Sequence, residues 1–269
     1  MHNYRFPDYQ VVGDADTTIF LLHGAYGSKD YFRHELEVLF GAGYRVVAWD
    51  APGYGLSPLP DGGIRIEGLA DAAVRLIERT GTACNIVVGH SMGGITAPLV
   101  AKLAGGRVHG VVISATAASF ARKPDADKIT FIEERIAPLK RGVPFVEAAA
   151  PVVKGMFSPQ SHGELVDLVT EVALRTRRET LISAIEAITL YDGEETLASL
   201  AVPTLLIAGE DDKVGRPEVM RRLTEVIRDS RFVSIPKAGH YAFAEQPEDF
   251  NRALLAFADS VAAQARGTR

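Results

Sequence analysis

The chain has 269 residues, of which 47% are hydrophobic and 23% charged, and its net charge is −5. This length allows one large core, and an acidic balance without a basic stripe argues against nucleic-acid binding. The single cysteine, Cys84, excludes an intrachain disulfide, and the sequence shows neither a signal-peptide pattern nor a membrane-length apolar run, so we expect a cytoplasmic protein that does not bind membranes.

Short β-rich segments alternate with longer amphipathic segments along most of the chain. Most of the predicted strands are continuously apolar, which is typical of central parallel strands covered on both faces. This alternation predicts a doubly wound, mostly parallel α/β sheet, followed by a frayed tail at 263–269. In chain order the predicted strands are 18–22, 45–49, 85–88, 108–113, 204–208 and 231–235, and the helices between and after them are 30–40, 66–79, 95–103, 217–228 and 247–262.

One long segment departs from this alternation. Between residues 118 and 200 no convincing strand occurs, and proline or polar breaks separate the predicted helices. An all-helical segment of this length inside an α/β chain is best explained as an inserted cap. We therefore predict a core made of 1–117 and 201–269 and a helical cap made of 118–200, with helices at 126–141, 144–156, 162–176 and 179–190.

The segment around Ser91 carries the strongest functional signal. A β-branched run ends in the pattern Gly-x-Ser-x-Gly, from Gly89 to Gly93, and a helix-compatible segment follows. A serine on such a sharp strand-to-helix turn has its hydroxyl lifted clear of the backbone, and the turn leaves little room for side chains two residues before or after it. The amide of Met92 would then point at the space where an oxyanion forms.

Candidate partners for a nucleophilic serine follow two later strands. Asp211 and Asp212 come after the predicted strand 204–208, and His240 comes after the predicted strand 231–235. A nucleophilic serine needs a base to take its proton and an acid to hold that base in the correct tautomer. Because the functional crevices of open α/β sheets lie outside the carboxyl ends of the strands, we expect the serine, an acid and the histidine to converge there.

Four motifs make the chain similar to the α/β-hydrolase superfamily, in the group whose members carry a helical cap. They nearly span the chain, and they are LHGAYGS at 22–28, DAPGYGLS at 50–57, GHSMGG at 89–94 and Gly239-His240. The chain order of serine, acid and histidine is also that of this fold. One departure is the short amino-terminal edge, where we expect about one extra strand in place of the family's usual hairpin.

The resemblance implies a catalytic role for three side chains. Ser91 would be the nucleophile and His240 the base. The family's acid is usually the third residue after the strand-ending glycine, which is Asp212 here, and Asp211 is the alternative. Each of these assignments is carried over from the matching motif.

The resemblance also implies that the backbone amides of Ala25 and Met92 form an oxyanion hole, since Ala25 follows the His-Gly pair on the loop facing the serine. His23 is expected to hydrogen-bond within that loop, and His90 to have a structural role. No residue pair has the helix-face spacing of a metal site, and the glycines at 53–55 lack the third glycine and the lysine of a phosphate loop. We therefore expect no metal and no cofactor.

These residues favour a serine hydrolase that acts on a small molecule. The predicted scissile bond is a carboxylic ester or lactone, cleaved through an acyl-enzyme on Ser91. An amide or a carbon–carbon bond of a small carboxylate-bearing catabolite is an alternative, because the same apparatus serves each. A hydrolase-like small-molecule receptor is an alternative of another class, and a homodimer stays open beside a monomer.

The cap is expected to determine the substrate, although its sequence does not translate into a ligand. We place Tyr26, Phe131, Phe145, Met156 and Phe157 in the substrate pocket. Basic residues cluster in the first part of the cap, and one of them could hold a substrate carboxylate, but the interspersed acidic residues favour a solvated surface. The basic cluster consists of Arg122, Lys123, Lys128, Arg135, Lys140, Arg141 and Lys154.

Overall fold

The computed structural model describes residues 4–117 and 119–267, and within them seven strands form a single sheet. The predicted strands are found within two residues of their expected bounds, and one extra strand, β1, precedes them. The strands are β1 (Asp8–Val12), β2 (Thr17–Leu22), β3 (Arg45–Asp50), β4 (Cys84–His90), β5 (Gly110–Ser114), β6 (Thr204–Gly209) and β7 (Ser230–Ile235).

The strand order is β1-β3-β2-β4-β5-β6-β7. Only β1 is antiparallel to its neighbour, which confirms the predicted doubly wound, mostly parallel sheet. From β2 the chain proceeds to β3 on one side, and from β4 it proceeds through β5 and β6 to β7 on the other. The topological switch point, where ligands of such sheets bind, therefore falls between β2 and β4.

The central strands are buried on both faces. Every residue of β2, β4, β5 and β6 is buried, whereas the edge strands β1 and β7 are partly exposed. This burial explains why the central strands appear in the sequence as continuous apolar runs.

Twelve helices accompany the sheet in the described part of the chain, and none of them is long and apolar enough to cross a membrane. Several expectations need correction. The predicted helix 30–40 begins as a 3₁₀ turn (Lys29–Phe32) and continues as an α-helix. The predicted helix 217–228 is shorter and ends in a 3₁₀ turn (Leu223–Glu225), and the expected frayed tail is helical as far as Gly267. Residues 268–269 of that tail lie outside the described residues. The helices are α1 (Arg33–Gly41), α2 (Ile66–Thr80), α3 (Met92–Leu103), α4 (Asp125–Arg135), α5 (Ala137–Lys140), α6 (Phe145–Met156), α7 (Glu164–Leu174), α8 (Arg178–Leu190), α9 (Glu194–Ala198), α10 (Pro217–Arg222), α11 (Ala242–Glu245) and α12 (Pro247–Gly267).

The six helices α4 to α9 lie between β5 and β6, and no strand occurs between residues 119 and 203. This is the inserted helical segment that the sequence predicts. The single predicted helix 126–141 is divided into α4 and α5 at Ile136, because Pro138 is compatible only with the first turn of a new helix. The predicted boundary at residue 118 falls on a residue outside the described ones, so the domain limits stay a prediction.

Hydrogen bonds from α8 fasten the inserted helices to the loop that follows β3. The Arg177 guanidinium and the Thr180 hydroxyl both donate to the carbonyl of Gly53, each at 2.7 Å. The Ser183 hydroxyl accepts from the amide of Ile64, also at 2.7 Å. These bonds satisfy backbone groups that the inserted helices cover.

The core contains a buried acid on α1. Glu35 of α1 is 1% exposed, and burial raises its pKa to about 8, against the smaller opposing influence of its own backbone amide and Asn251. In the unfolded chain the carboxyl would titrate near its ordinary value of 4.5. Between these two pH values the folded chain holds a proton that the unfolded chain has lost, so the free energy of unfolding falls as the pH rises.

We predict that Glu35→Gln flattens this pH dependence. The measured quantity is the free energy of unfolding of the variant minus that of the wild type. Between pH 4 and pH 9 this difference should shift in favour of the variant by on the order of 3–5 kcal/mol. Urea denaturation at pH 4, 7 and 9 measures the effect, and Glu37→Gln, an exposed glutamate of the same helix, is the matched control. Parallel pH curves for wild type and Glu35→Gln would contradict the prediction.

Candidate active site

Ser91 occupies the tight turn between β4 and α3. Its backbone has φ +52°, a left-handed conformation that is costly for a residue with a side chain and that recurs at functional sites. A Cβ atom at Gly89 would lie 2.1 Å from the Gly93 carbonyl oxygen, and a Cβ at Gly93 would lie 2.1 Å from the Leu22 carbonyl oxygen. Both glycines are therefore required by the close backbone approach that the sequence pattern indicates.

The loop after β2 lies directly against this turn. A Cβ at Gly24 would be 3.0 Å from the Cβ of Ser91, and Ala25 lines the same cavity as Ser91. Met92 is buried as the first residue of α3. Within residues 4–117 and 119–267, the amides of Ala25 and Met92 donate no hydrogen bond to another residue, which leaves both available to a ligand oxygen.

His240 and Asp212 form a buried pair at the carboxyl ends of β7 and β6. The Nδ1 atom of His240 lies 3.0 Å from Oδ2 of Asp212. The other carboxylate oxygen of Asp212 accepts from the amides of Val214 at 2.7 Å and Gly215 at 3.0 Å. With its Nδ1–H donated to the carboxylate, the histidine presents Nε2 as a proton acceptor.

The electrostatics of this pair favour an ionised carboxylate. Burial is the largest influence on the pKa of Asp212 and favours the neutral acid, but His240 and the two backbone amides together outweigh it, so the pKa lies below its ordinary value. An ionised Asp212 both orients the imidazole of His240 and stabilises its protonated form.

The alternative acid, Asp211, is exposed and points to a different partner. Its carboxylate accepts a hydrogen bond from the Ser158 hydroxyl at 2.6 Å. The geometry therefore pairs His240 with Asp212 and gives Asp211 a contact with the inserted helices.

His23 and His90 lie close to the site without a hydrogen bond to Ser91. The ring of His23 uses both nitrogens on backbone, donating from Nδ1 to the Gly24 carbonyl at 2.8 Å and accepting at Nε2 from the Ala51 amide at 3.0 Å. The ring of His90 packs 4.9 Å from that of His240, and burial, with His240 and His23, holds its pKa well below the ordinary value. A neutral, packed ring agrees with a structural role.

One cavity joins the predicted residues. Ala25, Ser91 and His240 line it. Across the described part of the chain, no group of three or more His, Cys, Asp or Glu side chains is placed to hold a metal ion.

The cavity contains three of the five predicted pocket residues. Tyr26, Phe131 and Met156 line it. The structure does not bring Phe145 and Phe157 to it: Phe145 packs against the hydrophobic core, and the Phe157 ring lies 5.0 Å from that of Tyr241. The sequence shows that these residues are apolar, but it does not show whether an apolar side chain of the inserted segment meets the core or a cavity.

Sequence reasoning missed Glu245, which fixes the loop that carries His240. One of its carboxylate oxygens accepts from the Gly239 amide at 2.9 Å and the other from the Tyr241 amide at 2.9 Å, so both neighbours of the histidine are held by one side chain. The amide of His240 itself donates to the Met156 carbonyl at 2.8 Å. The sequence signal for this role is weak, since it consists of a glutamate that follows the Gly-His motif at a short distance.

Glu245 also binds the inserted helices. Its Oε2 atom accepts from the Ser158 amide at 2.8 Å and from the Ser161 hydroxyl at 2.5 Å. This nearly buried carboxylate therefore takes four hydrogen bonds, and two of its donors lie between α6 and α7. Hydrogen bonds to a carboxylate are stronger than those between neutral groups, so Glu245 joins the histidine loop to the inserted helices.

We predict that Glu245→Gln loosens the histidine loop. The amide keeps the size of the side chain but can no longer accept from all four donors, so the melting temperature should fall by roughly 3–10 °C and hydrogen exchange at Gly239 and Tyr241 should speed up. Exchange measured by mass spectrometry or NMR tests this, with the exposed Glu248→Gln as control. Unchanged exchange at both amides would count against the role of Glu245.

Comparisons with known proteins identify the family of the chain. The profile of the alpha/beta hydrolase family matches residues 19–253. A protein of Variovorax paradoxus provisionally named a carbamate hydrolase is 30% identical over 261 residues, which cover 95% of this chain and 97% of the relative. The 3-oxoadipate enol-lactonase 2 of Acinetobacter baylyi is 26% identical over 93% of this chain and 91% of its own. The structure of a thermophilic esterase from Thermogutta terrifontis, with malate bound, matches with a TM-score of 0.82 and 25% identity over 95% of this chain and 93% of that chain. The chain therefore belongs to the alpha/beta hydrolase family.

Proposed function

We propose that this hydrolase cleaves a small carboxylic ester or lactone through an acyl-enzyme on Ser91. The observation that carries the proposal is that Ser91 and His240 line one cavity while Asp212 holds Nδ1 of the same histidine at 3.0 Å. The relatives named as an enol-lactonase and an esterase support the choice of bond.

The first half of the reaction forms the acyl-enzyme. The Ser91 hydroxyl oxygen attacks the carbonyl carbon, and its proton passes to Nε2 of His240. The carbonyl oxygen becomes an oxyanion, which the amides of Ala25 and Met92 bind. When the intermediate collapses, the bond to the leaving alcohol breaks and His240 returns the proton to the departing oxygen.

The second half restores the enzyme. A water molecule attacks the acyl carbon and gives a proton to His240, and the bond between the acyl carbon and the Ser91 oxygen then breaks. His240 hands the proton back to Ser91, and the acid product leaves. Throughout, Asp212 stabilises the imidazolium without itself being protonated.

We assign the inserted helices, within the proposed boundaries 118–200, the role of a cap over this cavity. Phe131 and Met156 supply walls from this segment, and they help to exclude water from the acyl-enzyme.

A small-molecule receptor with the same residues would show one slow turnover and a shift in stability, whereas the proposed enzyme turns over an ester steadily. Trapping of an acyl-enzyme distinguishes ester cleavage from lyase chemistry without one.

We predict that a fluorophosphonate probe labels Ser91 and no other serine. Its hydroxyl alone would lie beside a base and beneath two amide donors. Mass spectrometry of the labelled peptide locates the adduct, and Ser91→Ala should abolish it while Ser199→Ala, a change at an exposed serine, keeps it. Labelling that survives Ser91→Ala would refute the nucleophile.

A second prediction separates the two aspartates. Asp212→Asn should lower kcat for a p-nitrophenyl ester by about 10⁴-fold, because the asparagine cannot hold the required tautomer of His240. Asp211→Asn keeps an acceptor for Ser158 and should cost less than about tenfold, which corresponds to roughly 1.4 kcal/mol of transition-state stabilisation. Steady-state kinetics on both variants decide the matter, and a reversed ranking would move the acid to Asp211.

A further inference from the structure

Arg135 differs from the other basic residues of the cap in where its side chain lies. Only 10% of it is exposed, whereas Lys140 and Arg141 expose 51% and 65% and form ion pairs at the surface. The guanidinium of Arg135 stands 3.9 Å from the centre of the Phe131 ring, and the residue lines the cavity that contains Ser91. A largely buried cation at the edge of a reaction cavity is costly unless it has a partner.

The protein satisfies little of this guanidinium. Over residues 4–117 and 119–267, Arg135 donates a single hydrogen bond, from Nη1 to the carboxylate of Glu134 at 3.1 Å, and that glutamate is 61% exposed. A guanidinium has five N–H donors in a planar fork, so most of them have no protein acceptor. Although burial lowers the pKa of Arg135, an arginine stays charged at neutral pH.

Tyr26 supplies a second unsatisfied donor in the same cavity. The residue is 4% exposed, and its buried hydroxyl has no hydrogen-bond partner in the described part of the chain. Burial raises the pKa of Tyr26 to about 12, against the opposing charge of Arg135, so the phenol keeps its proton and is a donor. A buried donor without an acceptor costs free energy that a ligand oxygen would recover.

A neighbouring cleft has an excess of positively charged side chains. A wider cleft adjoins the cavity and shares Phe131, Arg135, Met156 and Val214 with it. In a chain whose net charge is −5, this cleft has a local excess of positive charge, which raises the local concentration of anions. Its charged lining consists of four basic side chains, Lys123, Arg135, Lys213 and Arg216, and two acidic ones, Asp127 and Glu134.

We propose that Arg135 and Tyr26 form a carboxylate-binding subsite beside Ser91, so that the substrate carries a free carboxylate in addition to its ester or lactone bond. The planar fork of a guanidinium matches the two oxygens of a carboxylate, and the phenol adds one donor. This inference rests on the proposed function for its substrate, but the subsite is tested by binding as well as by turnover.

The turnover test compares two esters of nearly equal shape. Mono-p-nitrophenyl adipate has a free carboxylate, and p-nitrophenyl 6-methylheptanoate has an isopropyl group in its place. The wild type should prefer the carboxylate ester in kcat/KM. In Arg135→Gln the ratio of the two kcat/KM values should fall by about 30-fold, as expected for loss of charge-assisted hydrogen bonds, and in Tyr26→Phe by about three- to tenfold.

Matched controls separate the subsite from general electrostatics. Lys140→Gln removes a cap cation that is paired with Glu186 at the surface, and it should leave the ratio unchanged. Arg135→Lys keeps the charge but loses the fork, and its ratio should lie between those of the wild type and Arg135→Gln. If Arg135→Gln does not fold, Tyr26→Phe, which removes a single oxygen, carries the test.

Binding provides the independent measurement. Calorimetric titration of Ser91→Ala with succinate, glutarate and adipate should show binding that Arg135→Gln weakens by at least tenfold. If both esters are hydrolysed equally and no dicarboxylate binds, the subsite is wrong and the hydrolase proposal stands. If neither ester is hydrolysed, the proposed function is wrong. In that case, dicarboxylate binding that depends on Arg135 still supports the subsite. Absence of such binding overturns the subsite as well.

Discussion

A side chain at Gly89 or Gly93 would meet backbone oxygen at 2.1 Å, and this close packing of main chain against main chain determines the geometry of the site. The turn must pass against the end of β2, and it can do so only without side chains at these two positions. Because the switch point lies between β2 and β4, the same approach presses the loop with Ala25 against Ser91. One steric constraint therefore sets the exposure of the Ser91 hydroxyl, the direction of the first amides of α3 and the position of the Ala25 amide.

Around this turn, the buried acids with a positioning role are fully paired. Asp50 accepts from the Lys29 amide at 3.0 Å and its ammonium at 2.5 Å, and Lys29 and these hydrogen bonds lower its pKa although burial, the largest influence, opposes them. Asp212 accepts from two amides and faces His240, and Glu245 accepts four hydrogen bonds. Buried charges are tolerated when they are satisfied in this way. Tyr26 and Arg135, whose donors are incompletely satisfied, instead line the cavity that contains Ser91.

Much of this arrangement follows from local sequence. The central strands are recognisable because burial on both faces makes them continuously apolar, and the turn at Ser91 is recognisable because its steric demand leaves two glycines in the chain. The residues alone leave Asp211 and Asp212 open, the family resemblance favours Asp212, and the structure pairs Asp212 with His240. Each of these signals is carried by neighbouring residues.

The features that sequence could not supply depend on contacts between distant segments. The cap donors to Glu245 come from residues 84 and 87 positions away, and no local pattern connects them. Arg135 is one of seven basic residues in the first part of the cap, and only tertiary packing distinguishes the buried one from those in surface ion pairs. Phe145 and Phe157 are apolar residues of the same inserted segment as Phe131, yet they meet other side chains and not the cavity.

The contacts of Met156 connect the inserted helices to the loop that carries His240. Its side chain lines the cavity, whereas its carbonyl accepts the amide hydrogen of His240 at 2.8 Å. Two residues further on, Ser158 binds Glu245 through its amide and Asp211 through its hydroxyl. A change at the end of α6 that reshapes the cavity therefore also acts on the loops that hold the histidine and its acid. Because one short segment both borders the cavity and accepts the His240 amide hydrogen through a main-chain carbonyl, a shift of its backbone would alter the cavity wall and the position of His240 together.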